Sequence, residues 1–173
     1  MSQLLDVSRI KRDFPIFERK INGQKLVYLD SAATSQKPLA VLDAERAFYV
    51  NHNAAAHRGA HKLAEEATEA FEGARAFTAK FLNSPVEEII FTKSATEAIN
   101  LVAYSLGNAD EGSQFHISQD DEILVSEMEH HANLVPWQEL AKRSGAKLKW
   151  FKVTDQGRLD LSDIDSKIGK RTR

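Results

Sequence analysis

The residues with chemical reach gather in two short stretches. Glu122–Trp137, EILVSEMEHHANLVPW, sets Glu127, Glu129, His130 and His131 directly behind an apolar run, Ile123-Leu124-Val125. Imidazole titrates near neutral pH, so a histidine placed there can hold or pass a proton, or lie against a flat ring. The second stretch, Thr92-Lys93-Ser94-Ala95-Thr96-Glu97, puts hydroxyls and a small residue where a strand hands over to a helix. Backbone N–H groups at a helix N-terminus attract anions, phosphate above all. A purely structural role fits the same residues: Ser94 with Glu97 three positions on is a capping box. The two roles are compatible, since Thr96 can donate to a ligand while Ser94 caps. A lone histidine at a strand end is more commonly a surface or capping residue, so neither stretch decides the matter alone.

Elements are needed to hold these groups in place. The run Ile123–Val125 reads as a buried strand, and Asn133 opens a helix extending to about Arg143, stopped by Ser144-Gly145. A further strand is expected at Lys147–Val153, then a turn at 154–158 and a short helix after Leu159. Upstream, Glu87–Thr92 reads as a strand and Ala98–Leu106 as the helix behind the hydroxyl cluster. The order β-α-β-α-β after residue 86 predicts an α/β layer with a largely parallel sheet, and ligands of such sheets sit at the carboxyl ends of strands. Before it, Val7–Asp13 reads as a short amphipathic helix broken at Phe14-Pro15, and Asn22-Gly23 as a turn ahead of a strand at Lys25–Asp30. Helices are expected at Leu39–Tyr49 and His61–Leu82. The second carries the stripe Leu63, Ala67, Ala70, Ala74, Phe77 and Phe81, and ends at Asn83-Ser84-Pro85.

Bulk properties narrow the field. With 173 residues, 42% hydrophobic and 28% charged, the chain has the composition of an ordinary globular domain. A net charge of −2 gives no electrostatic reason to expect nucleic acid or an anionic membrane as partner. No apolar run is long enough to span a bilayer, and the opening MSQLLDVSRIKRDF lacks the apolar core of a secretory signal, which predicts a cytoplasmic location. Cysteine is absent, which excludes disulfides, thiolate metal sites and a cysteine nucleophile on this polypeptide. No metal site is expected: His57 and His61 are four apart but straddle Gly59, and Glu129, His130 and His131 are consecutive, so neighbours point apart.

A phosphate-binding helix start together with a histidine beside a flat ring is the equipment for holding pyridoxal 5′-phosphate. Four motifs then occur in order: Tyr28-Leu29-Asp30-Ser31-Ala32-Ala33-Thr34-Ser35-Gln36-Lys37-Pro38, His57-Arg58-Gly59, Thr92–Asn100 (TKSATEAIN) and Glu129–Trp137 (EHHANLVPW). Together they closely resemble the N-terminal part of Suf-type (group II) cysteine desulfurases, pyridoxal-phosphate enzymes of the class V aminotransferase fold (fold type I). The resemblance runs from Asp13-Phe14-Pro15 to the last residues. It implies residues 1–36 as an N-terminal arm and 37–173 as the first part of the large cofactor-binding domain. Ala95 and Thr96 match the turn that holds the cofactor phosphate. His130 matches the histidine stacked on the pyridine ring and proposed to shuttle protons. Ala32 and Ala33 match a small loop near the substrate, and His57 and Arg58 a segment at the active-site mouth and dimer interface. Asn133 and Trp137 match a supporting segment without chemistry of its own.

The activity so implied converts L-cysteine to L-alanine, with the sulfur passed on as an enzyme persulfide for iron–sulfur cluster assembly. A homodimer and a sulfur-acceptor protein of the Suf system are the implied partners. The family's Schiff-base lysine, its pyridine-pairing aspartate, its substrate arginine and its sulfur-accepting cysteine have no counterpart here. The expectation is therefore a fragment that is inactive by itself. Two alternatives stay open: another class V enzyme such as a selenocysteine lyase, or a non-catalytic truncated paralogue acting as a binding subunit.

Overall fold

The computed structural model describes residues 5–173. Its contacts divide the chain into two units, one up to Ile89 and one covering Ile90–Arg173.

The first unit is mostly helical. α1 (Val7–Arg12) starts where Asp6 accepts a hydrogen bond from the Arg9 amide, and Pro15–Glu18 forms a 3₁₀ turn behind it. β1 (Lys20–Ile21) and β2 (Gln24–Lys25) make a minimal antiparallel hairpin. Asn22 and Gly23 at its tip both have positive φ, 51° and 78°, which is why Asn-Gly stands there. The strand expected over Lys25–Asp30 therefore pairs only at its start, Lys25 opposite Lys20 with the Leu26 amide donating to the Arg19 carbonyl. Val27 and Leu29 are exposed, and no neighbour lies alongside them among the described residues.

α2 (Leu39–Asn51) and α3 (Lys62–Leu82) follow the helical spacing of the sequence. His61 caps α3 by accepting from the Ala64 amide, and Asn83, at φ 53°, closes it in a left-handed conformation. The stripe expected on α3 is corrected. Its buried positions are Ala64, Ala67 and Ala79, whereas Phe77 and Phe81 are exposed. Small alanines allow close approach of neighbouring backbone, and Arg75 reaches from the same helix to donate to the Ile89 carbonyl. The strand expected at Glu87–Thr92 is also corrected: Val86–Glu88 is a 3₁₀ turn, and the residues after it belong to neither sheet of the described residues. An apolar run sets strand propensity, but a strand exists only where a neighbour supplies the ladder.

The second unit contains the α/β layer. α4 (Ala95–Gly107), β3 (Glu122–Ser126), α5 (Val135–Ser144) and β4 (Lys147–Phe151) follow one another, with a single-turn α6 (Ile164–Lys167) beyond. β3 and β4 pair in parallel, Glu122 opposite Lys147 through Ser126 opposite Phe151. Thr172 forms an isolated parallel bridge to Glu122 on the other side of β3. The expected parallel sheet is thus present as two strands with a third position started, not three full strands. The helix expected from Asn133 begins instead at Val135, after a 3₁₀ turn at His131–Asn133. Pro136 is buried in its first turn, where a missing N–H costs no hydrogen bond, and Gly145 ends it at φ 78°.

The core of this unit is compact: Ala103 from α4, Ile123 and Val125 from β3, Leu140 and Ala141 from α5, with Ala146 and Ile117. Ile117 lies in the connection 107–120 that the sequence marks as polar. Its burial explains why that long connection stays against the sheet. No helix among the described residues is long and apolar enough to cross a membrane.

Candidate functional site

The start of α4 is built by its capping. The Ser94 hydroxyl accepts from the Glu97 amide at 3.2 Å, and the Glu97 carboxylate accepts from the Lys93 amide, one residue earlier than a standard capping box predicts. Thr92 Oγ1 donates to the Ser94 carbonyl. These bonds use up Ser94 and Glu97. The amides of Ala95 and Thr96 meet no acceptor among the described residues, and the Thr96 hydroxyl makes no hydrogen bond there. Both residues are exposed. Two free amides and a hydroxyl at the positive end of a 13-residue helix are a donor set that fits a phosphate group.

The loop after β3 is tied down at many points. Glu127 accepts from the Val153 amide at 2.9 Å and its own amide donates to the Phe151 carbonyl. Glu129 accepts from Ser126 Oγ and from Asn133 Nδ2, both at 2.7 Å, and Asn133 Oδ1 in turn accepts from Trp137 Nε1 at 3.0 Å. The Glu129 carboxyl is held below its ordinary pKa, first by the Ser126 hydroxyl and then by the Asn133 amide, against the opposing effect of partial burial. Asn133 and Trp137 thus brace the loop through these bonds.

His130 is exposed and caps the 3₁₀ turn, its Nδ1 accepting from the Ala132 amide at 3.1 Å. An acceptor Nδ1 leaves the proton of the neutral ring on Nε2. His131 diverges from it, the two rings standing 6.2 Å apart at 56°. A cleft of about 470 Å³ between α4 and α5 is lined by Thr96, Asn100 and Tyr104 on one side and His131, Ala132 and Arg143 on the other. Thr96 and the turn following His130 therefore border the same space. His131, not His130, is the ring on its wall.

The remaining sequence-derived residues belong to the first unit. Ala32 and Ala33 are exposed in a turn closed by the Ala33 and Thr34 amides on the Asp30 carbonyl and held by the Tyr28 hydroxyl, which donates to the carbonyls of Asp30 and Thr34. His57 sits at φ 63°, its amide donating to Thr68 Oγ1 and its Nε2 bonded to Glu72 at 2.8 Å, with the ring edge-on to Phe71. The His57 ring bond lowers the Glu72 pKa; desolvation opposes it, and Arg75 adds to the lowering. Arg58 is exposed, its amide on the Ala55 carbonyl. His57 and His61 thus serve a carboxylate and a helix cap separately, and no group of three or more metal-ligating side chains gathers among the described residues. Taken alone, Ser126 gives no signal in the sequence, and Glu129 stands there only as a member of the polar cluster, without its partners. The signal, Ser126, Glu129, Asn133 and Trp137 at spacings of three, four and four, is legible, but it becomes a network only once the chain turns after β3.

Residues 27–173 match the family described as aminotransferase class-V. Among curated proteins, the chain is 56% identical over 172 residues to a protein of Streptomyces coelicolor named "Probable cysteine desulfurase", covering 98% of this chain and 41% of that one. It is 53% identical over 162 residues to "Probable cysteine desulfurase 2" of Mycobacterium leprae, covering 92% and 38%. Among solved structures, a cysteine desulfurase from Thermococcus onnurineus superposes with a TM-score of 0.81 at 35% identity, over 96% of this chain and 38% of that one. A cysteine desulfurase from Escherichia coli superposes with a TM-score of 0.73 at 34% identity, over 99% and 40%. The chain spans about 40% of the length of the relatives it matches.

Proposed function

The chain belongs to the aminotransferase class-V family, and from that premise we propose that it supplies the phosphate anchor and the ring-side histidine of a pyridoxal-phosphate-dependent, Suf-type cysteine desulfurase. The observation that carries this is the open donor set at α4: two amides and a hydroxyl left free by a capping arrangement that engages the neighbouring amides of Lys93 and Glu97. On this reading the amides of Ala95 and Thr96 and the Thr96 hydroxyl hold the cofactor phosphate. His130 lies against the pyridine ring and holds a proton at Nε2 for exchange with the substrate. Ala32, Ala33, His57 and Arg58 border the L-cysteine site, and residues 1–36 and 37–173 act as arm and cofactor-binding domain. When bound, pyridoxal phosphate supplies an electron sink for negative charge developing beside the amino acid's α-carbon.

The rest of the activity asks for groups this chain lacks. A persulfide needs a thiol, and there is no cysteine among the 173 residues. L-Alanine formation with sulfur passed to an acceptor protein is accordingly proposed only together with a thiol from elsewhere, in a homodimeric enzyme, and the chain by itself is expected to release no sulfide. The test is nuclear magnetic resonance of the chain titrated with pyridoxamine 5′-phosphate, which has the phosphate and ring but no aldehyde to react with surface lysines. Shifts centred on the Ala95 and Thr96 amides are expected. Shifts elsewhere, or equal shifts with pyridoxamine lacking the phosphate, would defeat the proposal.

A further inference from the structure

Glu129 joins the end of β3 to the residues leading into α5. One carboxylate oxygen takes the hydroxyl of Ser126, itself buried at the last position of the strand. The other takes the side-chain amide of Asn133. Asn133 is held from a second direction by its backbone amide on the His130 carbonyl at 2.7 Å, and from a third by Trp137. His130, His131 and Ala132 lie between the two clamped points. The bond from the Ala132 amide to His130 Nδ1 forms inside this short arc, and it fixes which ring nitrogen keeps the proton. An exposed histidine cannot hold such a bond by its own packing, so the arc around it has to be rigid.

We propose that Glu129 is a positioning residue for His130: by clamping Ser126 to Asn133 it holds the arc in which His130 Nδ1 accepts from the Ala132 amide and Nε2 presents the proton. This rests on the reading of His130 as the ring-side histidine, but its geometric content is independent of any cofactor. A carboxylate suits the task because both partners are donors, and the lowered pKa of Glu129 keeps it an acceptor at neutral pH. A glutamine can do nearly as well, its carbonyl accepting from Asn133 while its amide donates to the Ser126 oxygen. Alanine can do neither.

The experiment is amide hydrogen exchange together with the His130 ring nitrogen signals, on the whole chain carrying Glu129→Gln or Glu129→Ala. Glu129→Ala is expected to speed exchange at Ala132 about tenfold, the worth of one net hydrogen bond, and to move the His130 nitrogen signals, while Val125 in β3 keeps its rate. Glu129→Gln is expected to stay within about threefold of the parent at Ala132. Unchanged Ala132 exchange and His130 signals in Glu129→Ala would overturn the proposal, as would a uniform rise including Val125, which marks a general structural role. If Glu129→Ala does not fold, Ser126→Ala removes one arm of the clamp and is expected to move the same signals in the same direction; no movement there overturns it equally. Titration of the parent with pyridoxamine 5′-phosphate separates the two claims. Shifts at Ala95 and Thr96 with none at the His130 ring would remove His130 from the cofactor and leave the clamp standing.

Discussion

Replacing Ser94 by alanine and Thr96 by valine should separate the capping of α4 from its capacity to bind phosphate, two roles that share one helix turn. Ser94→Ala deletes the acceptor of the Glu97 amide, now bonded at 3.2 Å. Loss of an N-cap hydroxyl costs about 1 kcal/mol. Little packing is available to absorb that cost, because Ala103 is the only fully buried residue of α4. Thr96→Val keeps the side-chain shape and removes a hydroxyl that bonds nothing among the described residues, so stability should move by less than about 0.5 kcal/mol. For phosphate the order reverses. Thr96→Val removes one charge-assisted donor, about 1.5 kcal/mol or roughly tenfold in affinity for pyridoxamine 5′-phosphate. Ser94→Ala releases the Glu97 amide as an additional donor, so affinity should hold or rise. Urea unfolding followed by tryptophan fluorescence measures the first effect, since Trp137 and Trp150 both lie in the second unit. Amide shifts in a ligand titration measure the second. A full 1 kcal/mol loss of stability in Thr96→Val, or a tenfold loss of affinity in Ser94→Ala, would refute the division of labour.

Two further outcomes follow from groups outside that turn. Asp121 is buried, which alone would raise its pKa, but the Ser118 amide and hydroxyl and the Arg173 guanidinium outweigh burial and lower it. A lowered folded-state pKa gives stability that is complete above the unfolded value of about 4 and is lost as pH falls through the folded value; the urea midpoint should therefore drop on acidification below about pH 4, and less so in Asp121→Asn, whereas a midpoint rising with acid would contradict the sign. In the first unit, a Cβ at Gly59 would stand 2.5 Å from Ala64 Cβ and 3.0 Å from His61 Nε2. Gly59→Ala should thus disturb the start of α3 by about 1–3 kcal/mol, seen as lost helical circular dichroism at a lower temperature, and an unaltered melting curve would show that the turn has room.

Much of this molecule is written locally. The Asn22-Gly23 turn, the capping of α4 by Ser94 and Glu97, Gly145 as the end of α5 and the helical spans of α2 and α3 are set by residues within a few positions of one another, so spacing alone reveals them. The open donors at Ala95 and Thr96 were legible for the same reason, as a consequence of which neighbours the cap uses. What the tertiary structure decided depends on partners distant along the chain. Ile123–Val125 becomes a sheet strand because β4 supplies its ladder, while Ile90, equally apolar, lies in no assigned strand. Phe77 and Phe81 follow helical spacing yet are exposed, while the buried positions of α3 are Ala64, Ala67 and Ala79. The Ser126–Glu129–Asn133–Trp137 network likewise exists only because the chain reverses after β3. Periodicity states which side chains share a face; which face is covered, and which donors meet an acceptor, is settled by whatever segment folds against it.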